Sequence, residues 1–304
     1  FKMMVGDMVN EKQKGLAYSI QSFLCNAGSL VGFLFPFIFT WIGISNIAPQ
    51  GVVPDSVIYS FYIGAAILIL CVIYTTVKVK EMPPAEYAEY HGITEEEKKE
   101  KINMVKLLVK APKAFWTVGL VQFFCWFAFM FMWTYTNGSV AANVFDAPTV
   151  ETVVNGANKV VLDTKSIQYQ NAADWVGVLF AVQAIGSVLW AVCIPMFKNR
   201  KLIYSLSLVL GGIGFISTYF VHNQYVLFIS FLLIGCAWAA MLALPFTILT
   251  NALSGGHMGT YLGLFNGTIC IPQIVAATLG GSILALFTPK GMLPPEINML
   301  VMAG

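Results

Sequence analysis

The sequence predicts an all-α integral membrane protein, and three observations support this prediction. Of the 304 residues, 58% are hydrophobic and only 11% are charged, which is too few charges to cover the surface of a water-soluble domain. The segment 202–289 contains no Asp, Glu, Lys or Arg, and it is long enough for three membrane spans of about 20 residues with short turns. The connecting segments alternate between strongly basic and weakly charged, as expected when successive loops fall on opposite sides of a membrane.

Seven apolar windows are long enough to cross a bilayer as helices. Barrel strands are not expected, because the windows lack an alternation of apolar and polar residues, whereas helices satisfy their own backbone hydrogen bonds in lipid. A new apolar stretch begins at residue 298, so we expect both ends of the chain to be cut. The predicted spans are residues 16–42, 57–77, 114–135, 175–197, 202–221, 225–251 and 260–287.

Basic residues are concentrated in the connections on one side of this topology. Segments 1–15, 78–113 and 198–201 hold 14 of the 17 Lys and Arg residues. Since cytoplasmic loops are enriched in Lys and Arg, these segments are predicted to be cytoplasmic. The pattern predicts a multi-pass protein of a bacterial inner (plasma) membrane.

The longest basic segment, 78–113, is predicted to be a cytoplasmic linker between two helix bundles. Pro83 and Pro84 follow the second span, and proline interrupts a helix. The charge run at 95–101 is typical of a solvated helix with opposite charges three or four residues apart.

The sequence argues against an enzyme, a metal protein and a nucleic-acid-binding protein. No Asp, Glu, Lys or Arg lies well inside the seven spans, although chemistry at membrane depth would need acids, bases or metal ligands. The six cysteines show no CxxC spacing, and the three histidines fall in loops or at span ends. No catalytic residue, metal site, disulfide or cofactor is therefore expected. A net charge of +2 with no basic groove makes nucleic acid an unexpected partner.

Neutral polar and aromatic residues recur at helical spacing inside the spans. Gln122, Trp126 and Trp133 lie at i, i+4 and i+11, which places one amide and two indoles along one stripe of a helix. Amides bind sugar hydroxyls as donors and acceptors, and aromatic rings pack against the apolar faces of a pyranose. These residues are predicted to bind a neutral sugar, together with amides of other spans. The further substrate-binding candidates are Gln183, Asn26, Asn266 and Gln273.

A different role for these side chains stays open at this point. Amides in lipid also bond between helices, and tryptophans also anchor helices at the membrane interface.

Two stripes of glycine predict where helices approach one another closely. Gly28 and Gly32 in the first span, and Gly259, Gly263 and Gly267 in the last, recur every four residues. Such stripes let two backbones come together. Close packing is the predicted role, and a sliding surface for helix rocking is the alternative.

Three segments resemble sugar carriers of the major facilitator superfamily. The segment 6–15 (GDMVNEKQKG) resembles the loop between helices four and five of major facilitator carriers, and 121–127 (VQFFCWF) resembles helix seven of sucrose-type symporters. The most specific match joins 243–246 (ALPF), 258–266 (MGTYLGLFN) and 271–273 (IPQ), which are similar to helices ten and eleven of that family.

This resemblance implies a partial major facilitator fold, with about seven of the twelve transmembrane helices. Residues 1–77 would be the end of the N-terminal six-helix bundle, containing helices five and six. Residues 78–113 would be the cytoplasmic central linker. Residues 114–304 would be the C-terminal bundle with helices seven to eleven, and helix twelve would be cut off.

The resemblance also implies an alternating-access symporter of sucrose, maltose or a related glycoside, driven by protons, with sodium as the alternative coupling ion. Asp7 and Lys14 would belong to the cytoplasmic cluster of acids and bases that latches the inner gate. Asn137 and Gly138 stand where plant members carry an acidic residue, which argues against plant-like sucrose specificity. The proton-carrying acid is expected in the first four helices, because the present spans contain none. The expected partners are the sugar, the coupling cation and the lipid bilayer.

Two other classes are weighed against the sugar symporter. A seven-helix receptor or photoreceptor matches the number of spans, but a retinal protein needs a lysine within a span. A carrier of a lipid or a peptidoglycan precursor would need Arg or Lys in its cavity to bind phosphate. The present spans carry no such cation.

Overall fold

The structure is a computed structural model, and the part of the chain that it describes leaves several gaps. The gating candidate Asp7 and most of the predicted linker 78–113 lie outside the described residues. The structure describes residues 9–44, 53, 55–80, 83, 86, 89, 104–154, 157–253, 258–289 and 291–304.

Helices cover every one of the seven predicted spans. A 3-10 turn at Ile194–Met196 extends the helix before it, and two antiparallel strands form a hairpin between two helices. The helices are α1 (Glu11–Trp41), α2 (Asp55–Lys78), α3 (Met104–Val109), α4 (Lys113–Asn143), α5 (Ile167–Cys193), α6 (Arg200–Ser217), α7 (Leu227–Thr250), α8 (Met258–Phe265), α9 (Gly267–Phe287) and α10 (Ile297–Ala303). The strands are β1 (Thr149–Val154) and β2 (Ala157–Leu162).

The described helices have the length and composition of membrane spans. Six segments are long and apolar enough to cross a membrane, namely α2, α4, α5 with its 3-10 turn, α6, α7, and α8 continued by α9. α1 has 31 residues, which is more than the roughly 20 that a bilayer requires. The predicted all-α membrane fold is confirmed.

The segment 136–174, predicted as a polar loop of unspecified fold, contains regular structure. α4 continues to Asn143, and β1 pairs with β2 from Thr149 opposite Leu162 to Val154 opposite Ala157. The strands are rich in valine and threonine, residues that favour extended backbone. Ser166 then caps α5 by accepting a hydrogen bond from the Tyr169 backbone N–H at 3.2 Å. We call this side of the bundle the hairpin end, and the side where α4 and α6 begin the lysine end.

α7 occupies the centre of the bundle and packs against α1, α4, α5 and α6. The neighbouring helices α5 and α6 come close to the backbone of α7 at glycine residues. A Cβ placed on Gly186 of α5 would lie 2.7 Å from the Leu232 carbonyl oxygen, and one on Gly214 of α6 would lie 2.7 Å from the Ser230 carbonyl oxygen. Both distances are shorter than any side chain tolerates, so these contacts require glycine.

The predicted glycine stripes do not make such contacts. Within the described residues, a Cβ placed on Gly28, Gly32, Gly259 or Gly263 would meet no atom within 4 Å. The close-approach prediction therefore fails for these four glycines in the part of the chain that is described. The reason is that spacing identifies a smooth helix face but does not say which helix covers it.

α1 lies against α5 and α7. Tyr18 contacts Phe246 with ring centroids 6.1 Å apart, and Phe33 contacts Phe180 at 5.9 Å. By contrast, α2 is exposed along most of its length. The division into two bundles at 78–113 stays a prediction.

The last predicted span contains an irregularity at Asn266. The Asn266 backbone N–H donates to the carbonyls of both Leu262 and Gly263 at 3.2 Å. This residue separates α8 from α9, and Pro272, six residues later, has no N–H to donate. α9 then packs along α4.

Candidate functional site

Gln122 is the centre of the candidate site. Its side chain is fully buried on α4, and its Nε2 donates to the Met241 carbonyl of α7 at 3.3 Å. The Oε1 atom is buried and has no hydrogen-bond partner among the described residues. A buried amide oxygen without a donor is costly, so Gln122 presents an unused acceptor.

Three indole rings contact one another where α4 meets α7, and the first belongs to Trp126, one helical turn after Gln122. Trp126 and Trp133 of α4 lie 6.3 Å apart between ring centroids, and each lies 5.6 Å from Trp238 of α7. Phe129 completes the group at 4.9 Å from Trp238. We call Gln122, Trp126, Phe129, Trp133 and Trp238 the indole cluster. Its rings meet at tilted or edge-on angles, as aromatic side chains prefer.

Trp126 carries the second unused polar atom of the cluster. Its Nε1 is buried and has no hydrogen-bond partner within the described residues, although buried indole N–H groups are usually paired. Trp133 is 42% exposed. The cluster thus combines an acceptor on Gln122, a donor on Trp126 and an accessible ring on Trp133.

Trp238 was not among the residues predicted from the sequence. It stands in a continuous apolar run of α7 where no polar residue marks one face, so the sequence offers no periodicity to select it. Its role follows only from the contact between α7 and α4. The many aromatic residues in 123–133 are compatible with ring contacts along α4, but they do not show that a third indole comes from α7.

Gln183 lies on α5 against the same helix α7. Its side chain is buried, and its backbone carbonyl is so close to Gly235 that a Cβ there would collide with it. The neighbouring Ser187 hydroxyl donates to the Gly235 carbonyl at 2.7 Å. Gln183 therefore approaches α7 at the turn that precedes Trp238.

Asn26 reaches α7 from a third direction, on α1. It is fully buried, and its Nδ2 donates to the Ser22 carbonyl at 2.7 Å, while its Oδ1 has no partner in the described part of the chain. The Ser22 hydroxyl donates to the Ala239 carbonyl of α7 at 3.3 Å. Gln122 thus bonds to residues 235–241 of α7 through its side chain, Gln183 approaches this segment through its backbone, and Asn26 is linked to it through Ser22.

Asn266 and Gln273 occupy a different surface. Asn266 is exposed, and Gln273 is half-buried with its Nε2 donating to the Ile269 carbonyl of its own helix at 3.1 Å. Among the described residues, neither side chain bonds to the indole cluster. The structure therefore brings together Gln122, Trp126 and Trp133, places Gln183 and Asn26 on the same segment of α7, and leaves Asn266 and Gln273 apart.

Another tryptophan, which lies on α5, forms a hydrogen bond between helices. Trp190 donates from Nε1 to the Ser207 hydroxyl of α6 at 2.8 Å. This bond joins two helices, as the alternative interpretation of the polar residues anticipated.

The gating candidate Lys14 is buried at the lysine end of the bundle, with 1% of its side chain exposed. A Cβ on the next residue, Gly15, would lie 3.1 Å from the Arg200 guanidinium and 3.6 Å from Thr247. The start of α1 thus closes against the start of α6 and the end of α7. A buried lysine requires polar or acidic partners, and its predicted partner Asp7 lies outside the described residues.

Comparison of the sequence with known protein families shows to which family this chain belongs. The sequence profile of the Major Facilitator Superfamily matches residues 2–157, more than half of the chain. The chain belongs to the Major Facilitator Superfamily. No curated protein matches the chain.

Membership of this superfamily supports a multi-pass membrane protein that works as a secondary transporter of a small molecule. The superfamily consists of carriers rather than enzymes. The matched region includes four of the five residues of the indole cluster but not Trp238 of α7, and the family match does not specify the substrate.

Proposed function

We propose that this chain is part of an alternating-access symporter that couples uptake of a disaccharide or glycoside, such as sucrose or maltose, to protons. The observation that carries the proposal is the pair of unused polar atoms in the indole cluster, Oε1 of Gln122 and Nε1 of Trp126. Both residues lie where α4 meets α7, and the accessible indole of Trp133 lies 6.3 Å from that of Trp126 between ring centroids.

The chemistry of the cluster suits an uncharged polyol. A sugar hydroxyl both donates and accepts, so one hydroxyl satisfies the glutamine oxygen and another accepts from the indole N–H. The ring of Trp133 offers a surface for the apolar face of a pyranose. None of the cluster residues is ionisable, which favours a neutral substrate over a charged one.

The remaining candidates have supporting roles in the proposal. Gln183 and Asn26 lie on α5 and α1 around the same segment of α7, where small helix movements would change their distance from the cluster. Asn266 and Gln273 would contact the sugar only in another conformation of the carrier. Asp7 and Lys14 would close the lysine end, which we propose faces the cytoplasm of a bacterial cell.

A carrier for a lipid or cell-wall precursor is the second candidate within the superfamily. Such a substrate carries phosphate, which carriers bind through Arg or Lys. In the described residues, the buried Lys14 and the partly buried Arg200 lie at the lysine end of the bundle and not in the indole cluster. This arrangement favours the sugar.

Uptake of labelled disaccharides by cells that express the full-length protein tests the proposal. We expect accumulation of at least one disaccharide or glycoside, and we expect an uncoupler to abolish the accumulation. Phosphorylated glycolipid precursors in the same assay test the second candidate. Transport of such a precursor with no transport of any neutral glycoside would overturn the sugar assignment.

A further inference from the structure

Glu296 is a carboxylic acid outside the seven predicted spans, and the structure places it against helix α4. It precedes α10 at the hairpin end. Its carboxyl group lies directly against Gly138 of α4, so that a Cβ placed on Gly138 would collide with Oε2 and would lie 2.7 Å from Oε1. Only glycine leaves room for the carboxyl at this position.

A second glycine contact adjoins the first. Tyr135 lies one helical turn before Gly138 on the same face of α4, and its hydroxyl would lie 2.6 Å from a Cβ placed on Gly280 of α9. Two polar side chains therefore enter two notches where α4 meets α9 and α10. We call Glu296, Gly138, Tyr135 and Gly280 the glycine-notch site.

Among the described residues, the Glu296 carboxyl group neither caps a helix nor forms an ion pair. It makes no side-chain capping bond to α10. Within the described residues, no Lys, Arg or His forms an ion pair with it, and its side chain accepts no hydrogen bond. A carboxylate removed from water without a partner is unfavourable, which favours the protonated form.

Among the described residues, which leave out Lys290, the groups around Glu296 do not offer a compensating charge. Tyr135 is the titratable group that faces it from α4. α9 and α10 contain no charged residue, and the cations of α6, Arg200 and Lys201, lie at the opposite end of that helix. Lys159 of β2 lines a cavity of about 350 Å³ together with Pro294 and forms no ion pair with the carboxyl.

Burial raises the pKa of Glu296 from 4.5 to about 7. The pKa difference makes the stability of the folded contact depend on pH. The contact with Gly138 is most stable below about pH 4.5, where the acid is protonated, and its stability falls as the pH rises to about 7. The carboxyl therefore changes its charge in the range where a proton gradient across a bacterial membrane operates.

We propose that the Glu296 carboxyl is a proton-binding site, and that it releases its proton when α10 separates from α4 at the hairpin end. In the closed arrangement the neutral acid lies against Gly138. When the helices part and water enters, the acid ionises to a carboxylate and one proton. Return to the closed arrangement requires the proton to rebind, because a bare carboxylate would have to lose its water against a helix backbone.

This site deepens the proposed function and rests on it for one step only. If the chain is a proton-coupled carrier, protonation of Glu296 accompanies closure of the hairpin end, and this proton binds and leaves on the same side of the membrane. The acid that carries the translocated proton is still expected in the first four helices of the fold. Protonation of Glu296 itself does not depend on the identity of the substrate.

Infrared titration of the purified full-length protein tests the site without any substrate. We expect a protonated carboxyl band that disappears with a midpoint near pH 7, and we expect this band to be absent in Glu296→Gln. Gly138→Ala should push the carboxyl into water and move the midpoint down towards 4.5. A wild-type spectrum identical to that of Glu296→Gln between pH 5 and 8 would overturn the site, whether or not the protein transports sugar.

Transport in proteoliposomes tests the role of this proton in closure. Exchange of labelled for unlabelled substrate requires the hairpin end to open and close. We expect the exchange rate of the wild-type protein to change with the pH on the hairpin side between about 4.5 and 7, and we expect Glu296→Gln to lose this dependence. Glu151→Gln, which removes an exposed carboxylate from the hairpin on the same side, is the matched control and should keep the wild-type pH dependence.

The outcomes of the two experiments are distinguishable. An infrared band together with a wild-type pH dependence of exchange in Glu296→Gln would overturn the role in closure. Absence of any sugar transport by wild-type protein would overturn the proposed function and leave the infrared result to decide the proton site.

Discussion

Two helix surfaces with similar sequence patterns differ in this structure. The segment 235–241 of α7 and the face of α8 and α9 with Asn266 and Gln273 both combine glycine with polar or aromatic residues. Around the α7 segment the glycine is in contact with another backbone and the amides are buried. On the other surface Gly259 and Gly263 meet nothing and Asn266 is exposed.

The difference shows that composition and spacing predict which residues share a helix face, but they do not predict which helix packs against that face. A glycine stripe stabilises a contact only if a second helix approaches within van der Waals distance. An amide acquires functional meaning only when its partners are known, because the same side chain bonds within its own helix, to another helix or to a ligand. The substitutions below test this comparison in order of decreasing effect.

Gly235→Leu should have the largest effect. The new side chain would collide with the Gln183 carbonyl and would come within 2.9 Å of the Ser187 N–H, and overpacking against backbone costs about 3 kcal/mol. We expect little folded protein by size-exclusion chromatography in detergent. Gly263→Leu, on the open face, is the matched control and should fold normally. Equal losses from both variants would show that the open face is packed in the full-length protein.

Gln122→Ala and Trp126→Ala should each reduce sugar uptake by about tenfold while membrane insertion stays normal. Each removes one polar atom that we propose bonds to the substrate, and a buried hydrogen bond to a ligand is worth about 1 to 2 kcal/mol. Initial uptake rates, normalised to the amount of protein in the membrane, measure the effect. Wild-type uptake in both variants would remove these residues from the binding site.

Trp238→Phe should have a smaller effect than Trp238→Ala. Phenylalanine keeps an edge-on ring between Trp126 and Trp133, whereas alanine leaves a cavity of aromatic size. We expect Trp238→Phe to retain about half of the wild-type uptake, and Trp238→Ala to lose both uptake and thermal stability. If phenylalanine were no better than alanine, the indole would have a role beyond filling space.

Asn266→Ala and Gln273→Ala should have the smallest effects, below about twofold in uptake. Asn266 is exposed, and Gln273 bonds to its own helix through Ile269, so little is lost in this conformation. A loss as large as that of Gln122→Ala would show that these amides contact the sugar in a second conformation of the carrier.

Much of the fold was predictable from local sequence. The uncharged segment 202–289 and the basic turns determine where spans begin and end, because a charge at membrane depth is costly. The stripe of Gln122, Trp126 and Trp133 was also predictable, since side chains at these intervals share one helix face.

Other features depended on partners that are distant in the sequence. Trp238 joins the indole cluster only because α7 lies beside α4. The hairpin 149–162 depends on pairing between two strands, and short valine-rich runs do not reveal such pairing. Three glycines that approach another backbone, Gly186, Gly214 and Gly235, lie on three different helices, so no spacing within one helix identifies them together.

The amino-acid sequence by itself determined that this protein consists of apolar helices, which side of the membrane each connection is expected to face, and which residues share a helix face. These properties follow from solvation and helical periodicity, and both act over a few residues. Only the tertiary structure decided which faces meet. It placed Gln122 against Met241 and Glu296 against Gly138, because contacts between helices depend on the shapes of two surfaces that lie far apart in the chain.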